Sequence, residues 1–358
     1  MFMPVLIMRE IGLSGVICFA VPNIVGAAAM GWVIGTAAQS RRMVEEHRRA
    51  LVWFSLITIA YHGFFAAWMI RRLAGPEAGP AMAAAFFVFW AILHWNNGGQ
   101  YLATLMALAV SVVVMAWGVW RGDLPYLAHP VGGMRLDPIN NLWLTPAWAF
   151  GFGLCPYLDA TFHKARQAMS RTEARAAFVL GFGVIFALML AITVGYSGWF
   201  IAFDPARYPQ VALILSVHLI TQSCVTVAMH VRQISPGVRR PTFGHFLMFA
   251  VILIIAVGLG VWDRGEFSYN GISFGELVYR GFLGFYGLVF PAIVWLRIVP
   301  PRRSMLRVWV VILMAAPLLW LGFMDEQMVF LPAAVLIVVL SKFLPEGKTG
   351  NRTTLSPA

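Results

Sequence analysis

From Ala78 to Trp120 the chain carries no Asp, Glu, Lys or Arg. Such a run has one stable setting, the hydrocarbon core of a bilayer, where about 20 apolar residues make one crossing helix. It is long enough to cross twice, and Asn96-Asn97-Gly98-Gly99 supplies the turn between the two crossings. The rest of the chain follows the same pattern: 60% of the 358 residues are hydrophobic and 11% are charged. Soluble domains carry roughly 25% charged residues. Lipid offers backbone amides no water to bond, so long apolar segments become helices. The sequence therefore describes an all-α, polytopic integral membrane protein whose first partner is the lipid bilayer. Residues 1–358 leave no room for a second, soluble domain.

Eleven spans are expected in order along the chain. They are Ile11–Ala38, Ala50–Ile70, two within Ala78–Trp120, one at Asn141–Arg166, Ala176–Phe203, Tyr208–Met229, Thr242–Trp262, Leu277–Leu296, Val308–Met324 and Gln327–Ser341. A Pro- and Gly-rich loop occupies 121–140, and residues 342–358 form a polar tail. The net charge of +11 does not point to nucleic acid, because the basic residues fall in short loops between spans. Eighteen of them lie after odd-numbered spans or in the tail, among them Arg41, Arg42, Arg48, Arg49, Lys164, Arg166, Arg297, Arg302, Arg303 and Lys342. Seven lie on the other side: Arg9, Arg71, Arg72, Arg121, Arg135, Arg207 and Arg264. The positive-inside rule then puts the C-terminus in the cytoplasm and the N-terminus outside an inner or plasma membrane. No cleavable signal is read at MFMPVLIM. Cys18, Cys155 and Cys224 have neither disulfide nor metal spacing. No nucleophile–base pairing or metal-ligand set suggests an enzyme, and no cofactor is implied.

The element with the most chemistry is NLWLTPAWAFGFGLCPYLDATFHKAR, Asn141–Arg166. Gly151 and Gly153 weaken a helix interior, and Pro156 removes an amide donor. Pro156 suits the first position of a new helix, with Asp159 in that helix's positive first turn. Two half-helices meeting near Gly151–Pro156 are expected. Irregular backbone at that depth is tolerated beside protein or a polar cavity, and many transporters bind solute at such a break. A proline-kinked span with no ligand is the plain alternative. Gly151, Gly153, Cys155, Tyr157 and Asp159 are therefore candidate binding residues. His62 in the second span joins them, with His218, Thr221 and Gln222, which share one face of the seventh at 100° per residue. Asp159 reads either as a dipole partner helped by His163 or as a contact for a proton or solute. His62 and His218 read either as neutral hydrogen-bonded side chains or as a proton path. Asn23, after Pro22, reads as repairing the opened backbone or as a ligand contact.

Gly15–Ile34 (GVICFAVPNIVGAAAMGWVI) and Gly183–Ile201 (GVIFALMLAITVGYSGWFI) share Gly-Val-Ile, Phe-Ala and a Gly-Trp pair at matching distance from the alanine. These segments enter the membrane from opposite sides, the mark of an inverted repeat. With the broken span, its exit LDATFHKAR and the charge bias, the chain resembles the sodium:solute symporter branch of the amino acid–polyamine–organocation superfamily. The resemblance implies a five-plus-five inverted-repeat bundle over residues 11–298. Residues 11–175 would be a first repeat without its first helix, plus the broken helix. Residues 176–298 would complete the second repeat, and 308–341 would add two accessory helices. It implies that Asp159, Phe162 and Lys164 match the family's cytoplasmic exit. It also implies a site for a small polar solute, flanked by the spans carrying His62 and His218. The family's sodium site draws on the first helix and on adjacent hydroxyls, whereas Ser216, Thr221 and Ser223 are not adjacent. Sodium coupling is therefore not expected; proton-coupled or facilitated movement, with Asp159 or His218 able to carry a proton, stays open. Two other readings stay open: a haem- or quinone-binding membrane protein using His62, His94 and His218, and a non-transporting sensor or scaffold.

Overall fold

The computed structural model describes residues 3–75, 78–94, 97–121, 142–201, 209–233, 243–263 and 266–345. The loop read at 121–140 lies outside them from residue 122 on, as do Arg207, Arg239, Arg240, Arg264, the tail beyond Pro345 and the side chain of His94. The described residues are almost wholly helical, with one two-stranded hairpin pairing Ser268–Tyr269 with Ile272–Ser273.

In chain order the helices are α1 (Met3–Glu10), α2 (Leu13–Val33), α3 (Ala37–Glu46), α4 (Arg48–Ala74), α5 (Ala78–His94) and α6 (Asn97–Arg121). The broken element follows as α7 (Thr145–Leu154), a tight 3₁₀ turn at Cys155–Leu158, and α8 (Ala160–Gln167). Next, α9 (Arg171–Phe178) runs through a π-helical stretch, Val179–Phe186, into α10 (Ala187–Ile201). After α11 (Pro209–Gln233) and α12 (Phe243–Trp262) comes α13 (Phe274–Gly284). It widens into π turns at Phe285–Val289 and Val294–Ile298 around α14 (Phe290–Ile293). The last two are α15 (Met305–Phe323) and α16 (Phe330–Ser341).

Among the described residues, eight helical segments are long and apolar enough to cross a membrane. The protein is thus all-α and multi-pass, while the eleven expected spans exceed the eight that length and composition support. Ala78–Leu93 and Phe330–Ser341 are apolar but short, and the broken element divides into pieces of 10 and 8 residues. Reading the first span from Ile11 also left out α1. Its Val5, Leu6, Ile7 and Met8 are buried, and it packs on α10 and α2 before Gly12, at φ 84°, turns the chain into α2.

Polar contacts gather at two ends. At one, Arg166 Nε and Nη2 each donate at 2.6 Å to the carbonyls of Ile34 and Gly35, closing the C-terminus of α2. Ser40 of α3 bonds His163 of α8 at 2.9 Å, and Arg302 reaches Glu46 at 2.8 Å. The hydrogen bond from Arg42, followed by that from Arg302, holds the Glu46 carboxyl below the usual carboxylate range. Lys342 Nζ donates to the carbonyls of Trp295 and Val299. At the other end, Trp68 Nε1 donates to Asp263 at 2.7 Å, and Arg280 reaches Glu276, Glu326 and the Phe323 carbonyl. Arg166, Lys342 and Arg280 thus satisfy carbonyls that helix ends leave open.

Between the ends, glycine lets backbones touch, the packing that replaces hydrophobic drive in lipid. A methyl group at Gly26 of α2 would lie 2.6 Å from the Gly153 backbone of α7. One at Gly151 would lie 2.5 Å from the Tyr286 carbonyl oxygen. So α7 is wedged between α2 and the first π turn by two glycine contacts. Gly26→Val and Gly151→Val are each expected to destabilise the fold by about 1–3 kcal/mol through overpacking. Gly258→Ala, where a methyl meets nothing within 4 Å, is expected to be neutral or stabilising. Thermal unfolding in detergent separates the two groups.

Candidate functional site

The broken element opens onto a cavity of about 610 Å³ among α1, α2, α4, α6, α10, α11, the π stretch before α10 and the first π turn after α13. Ligand sites are typically about 300–1,000 Å³. The break differs from the expectation at Gly151–Pro156. Helix α7 continues through both glycines to Leu154, because Gly151 faces the Tyr286 backbone rather than a void. Pro156 sits inside the 3₁₀ turn, and α8 starts at Ala160 with Asp159 as its N-cap.

Asp159 is the centre of the polar part. Its Oδ1 accepts from Thr161 N at 2.8 Å and Thr161 Oγ1 at 2.6 Å, satisfying donors left open by the helix start. Its Oδ2 is turned the other way and lies 3.8 Å from His230 Nε2 of α11. His230 Nδ1 in turn is 3.3 Å from Ser55 Oγ of α4. His163, expected to help Asp159, turns away instead. Its Nε2 donates to the Tyr157 carbonyl at 2.9 Å, leaving Nδ1 to accept from Ser40.

Around this pair, α4 sets Thr58, Tyr61 and His62 on the wall because they fall a turn apart on one face. His62 Nδ1 donates to the Thr58 carbonyl at 2.8 Å, so Nε2 is the acceptor nitrogen of that ring. Thr58 Oγ1 donates to Phe54 O at 2.9 Å, so the Tyr286 hydroxyl, 2.6 Å away, donates to Thr58. Cys155 Sγ donates to the Tyr286 carbonyl at 3.4 Å. The Tyr61 hydroxyl is buried with no partner among the described residues. The remaining wall is dominated by rings: eight phenylalanines and two tyrosines line the cavity, including Phe19, Phe54, Phe152 and Phe182.

Of the residues read from the sequence, Cys155, Asp159, His62 and Gln222 meet at the cavity, and Asn23 joins them. Gly151, Gly153, Tyr157, His218 and Thr221 do not line it. Gly151 and Gly153 are packing points, and Tyr157 turns to the cluster around Met30 and Ile34. His218 is fully buried against α6, its Nδ1 3.1 Å from Ser111 Oγ, the oxygen that Gln222 Nε2 also reaches at 3.1 Å. Thr221 bonds back to the Val217 carbonyl of its own helix. Of the two histidines that the haem reading pairs, His62 lines the cavity and His218 does not. Among the described residues no group of three or more His, Cys, Asp or Glu could hold a metal ion.

Sequence reasoning missed His230, Tyr61 and Tyr286 as parts of the site. His230 stands a turn before the helix end, where a histidine reads as an interfacial residue. The tyrosines read as ordinary aromatic packing. The only usable signal was that Ser55, Thr58 and His62 share a helical face. Met3 and Pro4 of α1 also reach the cavity wall.

No protein-family model, curated protein or solved structure matches the chain. What the site can do therefore rests on its own geometry. It offers a cavity lined mostly by aromatic rings, with a carboxylate oxygen and two imidazoles among its polar groups.

Thiol labelling tests this placement. In a background lacking Cys18 and Cys224, cysteines introduced at His62 and Thr226 are expected to react with a small methanethiosulfonate. One introduced at His218 is expected to stay protected. Equal labelling at all three positions would mean that the α6–α11 contact, not the break, borders the water-filled space.

Proposed function

We propose that this protein is a secondary-transporter-like permease for a small solute, bound where α7 and α8 separate. The observation that carries the reading is the break itself. A buried helix start, capped by Asp159 Oδ1, leaves Asp159 Oδ2 on the wall of a cavity that His62, Cys155 and Gln222 share. Broken helices that hold polar groups beside a central cavity are the usual way transporters bind solute inside a membrane. A continuous helix would serve better in a purely structural bundle.

In this reading the membrane is crossed eleven times. The two short apolar helices and the α7–α8 element are added to the eight longer segments, in an inverted-repeat bundle of the sodium:solute symporter kind. The end carrying Arg166, Arg302, Arg303 and Lys342 is assigned to the cytoplasm of an inner or plasma membrane by its basic residues, with the N-terminus outside. Support for two distinct ends comes from the contacts. The segments after α2, α8 and the second π turn bond one another, and those after α4, α12 and α15 gather at the opposite end. The Asp159–His230 pair gives a proton a place to reside, so proton-coupled or facilitated movement fits. Of the two serines a sodium site would need, Ser223 lines the cavity and Ser216 does not.

Uptake into proteoliposomes tests the reading, with labelled amines, amino acids, sugars and carboxylates and with empty liposomes as reference. Uptake of one class is expected, unchanged by a sodium gradient and reduced about tenfold or more by Asp159→Asn through loss of a charge-assisted contact. Uptake of none of them above the reference would remove the permease reading.

A further inference from the structure

Resting on the site described above, we infer that the cavity is built for a monovalent organic cation, a protonated amine carried on an apolar or aromatic body. The argument is one of unmatched partners. Among the described lining residues there is one carboxylate, Asp159, and no lysine or arginine. Its Oδ1 is consumed by capping α8, but Oδ2 has only His230 at 3.8 Å, beyond hydrogen-bond length. His62 spends its Nδ1 proton on the Thr58 carbonyl, which leaves Nε2 an acceptor on a residue that also lines the cavity. A polar group left without a partner costs free energy until something satisfies it. A carboxylate oxygen and an imidazole nitrogen, both short of donors, describe the complement of an ammonium group, which brings N–H donors and one positive charge.

The apolar part agrees. Ten aromatic rings line the space, and the faces of such rings attract a cation most strongly where water is excluded. A neutral sugar would leave most of that surface facing hydroxyl groups. An anion would meet Asp159 with no lysine or arginine among the described lining residues to offset it. The positive end of α8, which could draw an anion, is already occupied by Asp159 Oδ1.

Equilibrium binding to the purified full-length protein tests the inference with three probes of similar shape: phenethylamine, phenethyl alcohol and 3-phenylpropionate. Calorimetry at neutral pH, where the amine is protonated, is expected to give binding of the amine about tenfold or more tighter than the alcohol, and no binding of the carboxylate. Asp159→Asn keeps an oxygen able to cap α8 and is expected to erase the preference for the amine over the alcohol. His62→Phe removes the acceptor nitrogen, keeps an aromatic ring, and is expected to weaken amine binding severalfold and leave the alcohol less affected. Equal or tighter binding of the alcohol or carboxylate overturns the inference. So does a preference that survives Asp159→Asn in folded protein, or no binding of the amine at millimolar concentration. Should Asp159→Asn fail to fold, the three probes on the unmodified chain, with His62→Phe, decide the question. Amine binding without uptake in proteoliposomes would remove the permease reading alone. Uptake of another class without amine binding would remove this inference alone.

Discussion

A helix can be interrupted inside a membrane only if its freed amides and carbonyls find partners, because the lipid supplies none. At the end of α7 that demand falls on Asp159. The chain leaves α-helical geometry at Cys155, makes one tight turn, and begins again at Ala160, where Asp159 Oδ1 accepts the Thr161 amide and hydroxyl. Removing a cap of this kind typically costs about 1 kcal/mol. The same residue projects its second oxygen away from the helix, so one carboxylate both holds the break and gives the cavity its charge.

The surrounding packing keeps that arrangement in place. Gly26 and Gly151 bring α2 and the Tyr286 turn against the backbone of α7, so the half-helix cannot shift sideways to heal the gap. Arg166 anchors α8 to the last carbonyls of α2, and Ser40 with His163 repeats the link one turn earlier. The first π turn after α13 turns Tyr286 so that its hydroxyl meets Thr58 while its carbonyl meets Cys155. The break is therefore held from both sides, and the space beside it stays open.

The sequence made the membrane helices legible because charge is so costly in lipid. The uncharged run holds two helices, α5 to His94 and α6 from Asn97, so Asn97, Gly98 and Gly99, read as part of the turn, belong to α6. That a break lies in Asn141–Arg166 was also legible, but its position moved. Gly151 and Gly153 look like helix breakers in one dimension, whereas in three they are contact points that leave α7 intact. Helical periodicity correctly put His218 and Gln222 on one face. It could not say that His218 meets Ser111 of α6 while Gln222 also reaches the cavity, since that depends on the depth and tilt of a second helix. His230 and α1 were invisible for a related reason. One sits near a span's end and the other is eight residues long, so neither has a periodic signal of its own.

Hydrogen–deuterium exchange on the protein in nanodiscs tests the central claim. Peptides covering Cys155–Asp159 should exchange faster than those within Thr145–Leu154 and Ala160–Gln167, because the turn borders the cavity while its flanks are bonded helix. Uniform, slow exchange from Thr145 to Gln167 would mean a continuous helix with no open break, and the site built on it would fall.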